Sequence, residues 1–421
     1  MPDWAHSVHV TVDGLEPDRW YWYRFRVDGI ASAAGRTRTA PAPAAMPDRL
    51  RFAIASCQQY EQGWYTAYRH LRADDPDLVV HLGDYIYESS WGRNHVRKHN
   101  APEPTKLSDY RVRHALYKTD PDLQAMHRSC PWIFTWDDHE VDNDYADSVS
   151  EEDDPPAEFM LRRAAAYRAW YEHMPLPSRA VPSGPYLQLY GRVGWGRLAD
   201  FCVLDIRQYR SQQVCPRPGR AGGNVVAPEA CEARMAPGRT MLGAAQEAWL
   251  DRAWATTPAR WNFVAQQTVM AQMDSKPGPG QTFFTDGWDG YPLARAQLLQ
   301  GLVDRRVANP VVLGGDVHFH CVTDLKRDFD DERSPVVATE FVGTSITSQS
   351  RSQAETEKRL PDNPHVRYAR SDYRGYTRFD LRPGRLAATL RGVESVRVPD
   401  APALTLASFV VEDGLPGAKP A

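Results

Sequence analysis

Short apolar runs alternate with helix-like patterns through most of the chain, and each run has the length of a buried strand. Between several of these runs, apolar side chains recur at the spacing of one helix face. The predicted strands of this region cover residues 50–56, 78–82, 132–136, 198–206, 261–266 and 311–313. The predicted helices cover residues 63–73, 158–173, 244–255 and 293–307. This alternation of strands and helices predicts an α/β fold.

The first forty residues have a different pattern, with β character and no helical spacing. Residues 8–12 alternate between apolar and polar side chains, and residues 20–27 form an aromatic, β-rich run. Between them, Leu15, Pro17 and Tyr21 resemble the corner found in fibronectin type III and related sandwiches. About three strands fit into this stretch, whereas a complete sandwich needs about seven. The sequence therefore predicts a partial N-terminal β-sandwich-like segment.

The boundary between the two patterns is a linker by composition. Residues 40–48 are rich in alanine and proline. We therefore expect the N-terminal segment at residues 1–45 and a second, larger domain at residues 46–421. The tail from Leu415 is predicted to be loose, as chain termini often are.

Charge and hydropathy exclude several classes of partner. The formal net charge of the 421-residue chain is −4, and no run of lysine and arginine stands out. A nucleic-acid groove or an anionic membrane surface is therefore not expected. No apolar run reaches the roughly 20 residues that a membrane-spanning helix needs. The residues after Met1 also lack a signal-peptide pattern, which suggests a mature, truncated or cytoplasmic chain.

Two of the six cysteines stand apart from the others. Cys215 and Cys231 flank a stretch rich in proline, glycine and arginine. We predict a local disulfide that closes this loop, which would indicate an oxidising compartment. The alternative is a pair of free thiols in an exposed loop.

Side chains that can bind metals follow four of the predicted strands. Cys57 follows the strand at residues 50–56, and Asp84 and Tyr87 follow the strand at 78–82. Asp138 and His139 come at the end of the strand at 132–136, and Asp316 and His318 come after the strand at 311–313. Ligands of open α/β sheets bind at the carboxyl ends of the strands, so these side chains should converge. Asp316 and His318 are separated by one residue and can reach one cluster only if the chain bends after the strand. The preceding glycines allow the backbone a close approach there.

Each of these signals has an ordinary explanation when it is taken alone. A Gly-Asp pair after a strand is usually a turn, and a lone cysteine such as Cys57 is more often a small buried apolar residue. Asp138 and His139 could form a surface ion pair, and Tyr87 could serve packing. The fourfold repetition of a strand followed by ligand-type residues favours a multi-metal site.

The motifs resemble those of the PhoD-type alkaline phosphatase D family, a branch of the calcineurin-like metallophosphatases. They include Ala-Ser-Cys-Gln (55–58), His-Leu-Gly-Asp-Tyr-Ile-Tyr-Glu (81–88), Trp-Asp-Asp-His-Glu-Val-Asp-Asn-Asp (136–144), Asp-Ile-Arg-Gln-Tyr-Arg (205–210), Trp-Asp-Gly-Tyr-Pro (288–292) and Gly-Asp-Val-His (315–318). The resemblance covers almost the whole chain after residue 50. It implies a metallophosphatase-type αββα sandwich, and the N-terminal segment looks like the end of that family's accessory domain.

The resemblance also implies a set of metals. The expected ligands of one ferric ion (Fe3+) are Cys57, Asp84, Tyr87 and His318. One or two calcium ions (Ca2+) are expected on oxygen ligands, with Asp84 bridging and with Asp138 and Asp316 contributing. A thiolate and a phenolate favour a trivalent or borderline ion over magnesium, whereas calcium prefers oxygen ligands. Another divalent metal remains an alternative.

The implied activity is the hydrolysis of phosphate mono- or diesters by a metal-activated hydroxide. His139 is expected to be catalytic near the leaving group, with Asp138 beside it. Arg207 and His320 are candidate substrate contacts. His320 departs from the family pattern and could instead support or bind a metal.

The family resemblance leaves other questions open. A phospholipase D-like phosphodiesterase is the main alternative, and a non-catalytic metal-binding module is a weaker one. The implied location is periplasmic or secreted, with cytoplasmic as the alternative. Five aromatic residues could either line the mouth of the site or serve packing: Trp91, Phe283, Phe284, Trp288 and Tyr291. The oligomeric state and the natural substrate are not predicted.

Overall fold

The computed structural model describes residues 2–178 and 180–421. The strands of these residues, in chain order, are β1 (Trp20–Tyr23), β2 (Arg26–Val27), β3 (Ile30–Ala31), β4 (Gly35–Arg38), β5 (Leu50–Ala55), β6 (Leu78–Leu82), β7 (Trp132–Thr135), β8 (Gly191–Trp195), β9 (Ala199–Val203), β10 (Val225–Val226), β11 (Trp261–Ala265), β12 (Phe283–Phe284), β13 (Pro310–Gly314), β14 (His320–Lys326), β15 (Val336–Val342), β16 (Val366–Arg370), β17 (Arg374–Arg382), β18 (Arg385–Val393), β19 (Ala403–Glu412) and β20 (Leu415–Pro420). Their α-helices are α1 (Thr66–Ala73), α2 (Leu107–Tyr117), α3 (Pro121–His127), α4 (Pro156–His173), α5 (Ala244–Thr256), α6 (Pro292–Asp304) and α7 (Gln353–Arg359).

Two mixed sheets of seven strands each form the centre of the fold. The first sheet has the order β20-β19-β18-β17-β5-β6-β7, and β5, β6 and β7 are parallel to one another. The second sheet has the order β16-β14-β15-β13-β11-β9-β8, and its central strands β15, β13, β11 and β9 are parallel. The two large mixed sheets and the helices on their outer faces confirm the predicted αββα architecture.

The core between the two sheets is aromatic and aliphatic. The ring of Phe52 in β5 lies 5.3 Å from Phe201, 5.1 Å from Phe263 and 4.6 Å from Phe379, measured between ring centroids. Ile54 faces the same core, whereas its neighbours in β5 face the helices on the other side of the sheet. Parallel strands that are buried on both faces read as continuous apolar runs, which is why they were predictable.

Helices cover the outer face of each sheet. Helices α1 to α4 pack on the first sheet through residues such as Tyr68, Tyr110 and Trp170. Helices α5 and α6 pack on the second sheet through Trp254 and Leu298. The predicted helix and strand bounds agree with the observed elements to within a few residues.

The N-terminal segment differs from the prediction. Residues 8–12 form no strand; the side chains of Val8, Val10 and Val12 are exposed, and the intervening His9 stacks on Tyr171 at the end of α4. The apolar side chains of this alternation therefore face solvent, and the polar His9 between them makes the contact with the helix. The run at 20–27 divides into β1 and β2, which pair with β4 and β3.

Two further local predictions have clear outcomes. The hydroxyl of Tyr21 accepts a hydrogen bond from the backbone N–H of Glu16 at 2.7 Å, the contact that a sandwich corner requires. The tail from Leu415 is not loose, because β20 pairs with β19 at the edge of the first sheet. Backbone pairing there orders a segment whose terminal position had suggested disorder.

Candidate metal centre and active-site cleft

The turns after β5 and β6 adopt an unusual backbone conformation. Cys57 has φ 58° and Asp84 has φ 55°, which are left-handed values that residues with a side chain rarely adopt. Gly83 precedes Asp84 with φ 104°, and a Cβ there would lie 2.6 Å from the Cβ of Asp137. The glycine thus lets two strand ends approach each other. Such strain is found where a function requires the geometry.

The turn after β13 repeats this conformation. Asp316 has φ 62° and His318 has φ 61°, so the chain bends sharply at both positions. A Cβ on Gly315 would lie 2.6 Å from the hydroxyl oxygen of Ser56, next to Cys57. These bends bring the end of β13 in the second sheet against the end of β5 in the first. The bend that the spacing of Asp316 and His318 required is present.

We define the inner corner as Cys57, Tyr87 and His318 together with Asp84. One ligand atom from each of Cys57, Asp84 and His318 lies within 4.8 Å of the others. The Tyr87 hydroxyl donates to Asp84 Oδ2 at 2.8 Å and lies 3.2 Å from His318 Nε2. Asp84 Oδ1 is buried and has no hydrogen-bond partner among the described residues. A buried carboxylate oxygen without a partner is costly, and a cation would satisfy it.

The environment of His318 fixes which nitrogen faces the inner corner. Its Nδ1 lies 2.8 Å from the carbonyl oxygen of Gln349, which can only accept, so Nδ1 carries the proton. The ring stacks on Trp91 with 5.5 Å between centroids. Burial lowers the pKa of His318 to about 3, which keeps the imidazole neutral. Its Nε2 lone pair is therefore available to a metal.

We define the outer corner as Asp138, His139 and Asp316, which share Asp84 with the inner corner. Ligand atoms of Asp84, Asp138 and His139 lie within 4.8 Å of one another. Asp316 accepts a hydrogen bond from the Thr268 hydroxyl and lines the same cleft. Burial, followed by the charge of Asp138, raises the pKa of Asp316 to about 6. Crowded carboxylates of this kind are stabilised in their charged form by a bound cation.

His139 is held by a carboxylate that the sequence reasoning did not assign. Its Nδ1 lies 2.7 Å from Glu88 Oε2, and its ring packs against Tyr87 at 4.1 Å between centroids. Burial opposes the charged form of His139, but Glu88, Asp138 and Asp84 outweigh this and raise its pKa well above the ordinary value. Glu88 lies in the 81–88 motif, four residues after Asp84, and its place in this motif could have marked it as a site residue.

Glu140 is a second residue that the sequence reasoning missed. Its buried carboxylate accepts hydrogen bonds from three backbone N–H groups, those of Asp84, Tyr85 and Asp137. It therefore fastens the end of β6 to the end of β7. Nothing in the local sequence distinguishes this role from that of an exposed glutamate.

The corners open into a cleft of about 800 Å3. Its carboxylates outnumber its arginines by eight to three: Glu88, Glu103, Asp138, Asp142, Asp144, Glu151, Glu152 and Asp316 against Arg217, Arg220 and Arg351. Such a cleft repels anions unless cations neutralise it. The geometry thus brings together all seven residues predicted at the four strand ends, in surroundings that suit bound cations.

Comparison with known proteins identifies the family. The family model described as PhoD-like phosphatase matches residues 52–390, and the model of its N-terminal domain matches residues 1–41. The chain belongs to the PhoD-like phosphatase family. It is 44% identical to alkaline phosphatase D of Bacillus subtilis (strain 168) over 98% of this chain and 70% of that protein. A solved structure of PhoD matches with a TM-score of 0.93 at 43% identity, covering 100% of this chain and 80% of that one.

The family membership makes this chain a phosphoric ester hydrolase. The two donor corners give the PhoD-like phosphatase candidate metal-binding groups, and small-molecule phosphate esters are the substrate class of the family. No helix among the described residues has the length and apolarity to cross a membrane.

Two candidate substrate contacts of the PhoD-like phosphatase do not reach the cleft. Arg207 is fully buried, and its guanidinium donates to Asp137 and to both carboxylate oxygens of Asp286, at 3.0 and 2.9 Å. His320 is also fully buried, with its Nε2 3.2 Å from the Arg391 carbonyl oxygen. Both side chains are hydrogen-bonded to protein groups, and neither is among the described residues that line the cleft.

The cysteine and aromatic predictions have mixed outcomes. Cys215 and Cys231 form the predicted disulfide, and the loop between them carries Arg217 and Arg220 to the cleft. Of the five aromatic candidates, two line the cleft, namely Trp91 and Phe284. The other three, Phe283, Trp288 and Tyr291, are buried and do not line the cleft.

Proposed function

We propose that this PhoD-like phosphatase hydrolyses phosphate mono- or diesters with Fe3+ in the inner corner and one or two Ca2+ ions in the outer corner. The observation that carries the proposal is the pair of donor groups joined through one carboxylate, Asp84. Asp84 belongs to both donor groups and has two carboxylate oxygens, so it is suited to bridge two cations.

The donor types support different metals in the two corners. Cys57 and Tyr87 offer a thiolate and a phenolate, which suit a trivalent or borderline ion. Asp138 and Asp316 offer carboxylate oxygens, which suit calcium, and another divalent ion is the alternative there. When bound, these cations would neutralise the phosphate charge and make a nucleophilic hydroxide available near neutral pH.

The protein groups of the outer corner supply proton transfer and orientation. The Nδ1–H of His139 donates to Glu88, which leaves Nε2 to give a proton to the departing alkoxide. Asp138 supports this orientation, because its Oδ1 accepts the backbone N–H of His139 at 3.0 Å. Asp138 and His139 thereby act as one unit, with the histidine as general acid.

The decisive experiment combines elemental analysis with two substrates. Purified protein should contain iron and calcium and should hydrolyse p-nitrophenyl phosphate, bis-p-nitrophenyl phosphate or both. The ratio of the two kcat/KM values assigns the preference between monoester and diester. A metal-free protein with full activity on either ester would overturn the proposal.

The iron assignment has its own test. A tyrosinate bound to ferric iron absorbs visible light by charge transfer, so the purified protein should be coloured. Tyr87→Phe should bleach the band, and Cys57→Ser should shift or weaken it. A colourless, fully active protein that contains only zinc or calcium would refute the iron assignment and leave ester hydrolysis standing.

The alternatives predict different results in the same assays. A phospholipase D-like phosphodiesterase would release the headgroup alcohol from a phosphatidylcholine vesicle and prefer the bis ester. A non-catalytic metal-binding module would bind the metals without turning over either ester, a reading that family membership disfavours.

We propose an extracytoplasmic location on the evidence of the Cys215–Cys231 bridge, since cytosolic thiols are kept reduced. Thiol trapping in fractionated cells should find these two cysteines oxidised outside the cytoplasm. Recovery of both as free thiols in the cytoplasmic fraction would favour the cytoplasmic alternative.

A further inference from the structure

A second pocket of about 380 Å3 adjoins the catalytic cleft. We call it the side pocket; its apolar wall includes Val269, Met273, Phe284, Val317 and Phe319. Phe284 and Val317 line the cleft as well, so the two spaces lie side by side and share part of their lining. Val317 lies between Asp316 and His318, two of the proposed metal ligands. A phosphate ester held at the metals would therefore have room for its organic group in the side pocket.

Two arginines and two aspartates line the side pocket, so its described lining is formally neutral, whereas that of the cleft is strongly acidic. Arg351 lines both spaces, and Arg359 lines the side pocket. Within residues 2–178 and 180–421, neither guanidinium forms an ion pair with a carboxylate or donates a side-chain hydrogen bond. Arg351 lies 4.9 Å from the centroid of the Phe319 ring. Burial and the nearby charge of Arg359 lower the pKa of Arg351 to about 10, which leaves it charged at neutral pH.

The acidic groups near these arginines are already engaged. Asp274 accepts the backbone N–H groups of Lys276 and Thr282, both at 2.9 Å. Asp289 pairs with Arg295 at 2.6 Å. Glu355 of α7 accepts hydrogen bonds from Ser352 in the capping box of that helix, and its charge also acts on both arginines. In the part of the chain that the structure describes, no carboxylate forms an ion pair with either arginine, so these two cations beside an apolar wall are complementary to an anionic group on an apolar body.

We propose that the side pocket binds the organic group of the substrate and that Arg351, assisted by Arg359, recognises a second anionic group on it. The substrate class is then a phosphate ester whose aromatic or apolar substituent carries a carboxylate or another phosphate. This inference rests on the proposed function and extends it, because it names what the ester must carry beyond the reacting phosphate.

The test compares two esters that differ in the charge of one remote group. The probes are 4-carboxyphenyl phosphate and 4-carbamoylphenyl phosphate, which have similar size but differ in the negative charge. The wild-type enzyme should favour the carboxylate ester, after correction for the intrinsic reactivity of the two esters. In Arg351→Gln the ratio of the two kcat/KM values should fall by roughly 10- to 100-fold, the range for loss of a charged hydrogen bond. Most of the change should be in KM, since a remote contact binds ground state and transition state alike.

Three further variants make the outcome decisive. Arg351→Lys keeps the charge without the planar fork and should recover part of the ratio. Arg359→Gln should lower the ratio less than Arg351→Gln does. Lys358→Gln removes an exposed cation of the same helix that lines neither space and should leave the ratio as in the wild type.

The failures can be told apart. A wild-type enzyme that hydrolyses bis-p-nitrophenyl phosphate but neither monoester would overturn the side-pocket inference alone, and one that hydrolyses none of the three would overturn the proposed function as well. Hydrolysis of both esters with the same ratio in the wild type and in Arg351→Gln would overturn the side-pocket assignment alone. An equal fall of the ratio in Lys358→Gln would mean a diffuse charge effect and would also overturn it.

Discussion

The inner and outer corners of the metal centre share one carboxylate but differ in chemistry and exposure. Cys57 and Tyr87 of the inner corner are essentially without solvent contact, and they offer sulfur and phenol donors. Asp138 and His139 of the outer corner border the cleft, and carboxylates dominate there. Under the proposed function, the inner corner would hold a permanent metal, and the outer corner would hold the metal and the proton donor that meet the substrate.

Removal of the shared carboxylate should have the largest effect. Asp84→Ala deletes the group that joins both corners and leaves the remaining donors without a bridge. We expect loss of both metals by elemental analysis and activity at the background level. Asp13→Ala, which removes an exposed carboxylate of the N-terminal segment, serves as the control. Full metal content with normal turnover in Asp84→Ala would refute the shared-ligand arrangement.

A change confined to the outer corner should separate chemistry from metal binding. His139→Ala should retain both metals, while kcat falls by roughly 10²- to 10⁴-fold, the usual range for a lost general acid. His6→Ala, an exposed histidine, is the matched control. If His139→Ala loses a metal, the histidine is a ligand and the proposed division of roles between the corners fails.

The two corners also show which parts of the fold and the site can be predicted from the sequence. The strand ends that carry Cys57, Asp84, Asp138 and Asp316 were predictable because each follows a continuous apolar run. Strands β17 to β19 were not predicted, because polar and charged residues interrupt their apolar positions and their pairing is non-local. In the first sheet, β17 pairs with β5 across more than 300 residues of sequence.

The supporting carboxylates were missed for a related reason. Glu140 acquires its role from backbone amides that lie 55 and 56 residues away in sequence. Arg207 was expected to contact substrate, because an arginine in a phosphatase motif suggests anion binding. In the fold, Asp137 and Asp286 occupy its guanidinium instead. Sequence position alone does not reveal which carboxylates surround a buried arginine.

A change at Glu140 should lower the metal affinity of both corners, but by less than the loss expected for Asp84→Ala. Glu140→Gln preserves shape but replaces one acceptor oxygen by an NH2 group that faces backbone N–H donors. We expect a lower Tm, corresponding to a loss of about 1–3 kcal/mol in stability, and metal affinity reduced roughly 10- to 100-fold. Thermal unfolding and metal titration measure the two effects. The control Glu332→Gln, at an exposed position, should change neither quantity. Unchanged metal affinity in Glu140→Gln would show that metal binding does not depend on the hydrogen bonds of Glu140.

The smallest effect is expected for Ser348→Ala, which changes a hydroxyl next to the inner corner that is not one of the proposed metal ligands. The Ser348 hydroxyl lies 2.8 Å from both the Tyr87 hydroxyl oxygen and the Cys57 carbonyl oxygen, and a negatively charged phenolate at Tyr87 would be the stronger acceptor of its proton. Such a hydrogen bond stabilises the phenolate lone pair and raises the energy needed to move charge from it to a ferric ion. Ser348→Ala should therefore shift the visible band to longer wavelength and change activity by less than about 100-fold. Ser345→Ala removes a buried hydroxyl that bonds the Ser348 carbonyl and not Tyr87, so its band should stay in place. An identical spectrum in Ser348→Ala, from a protein that retains its iron, would mean that Ser348 does not donate to a Tyr87 phenolate.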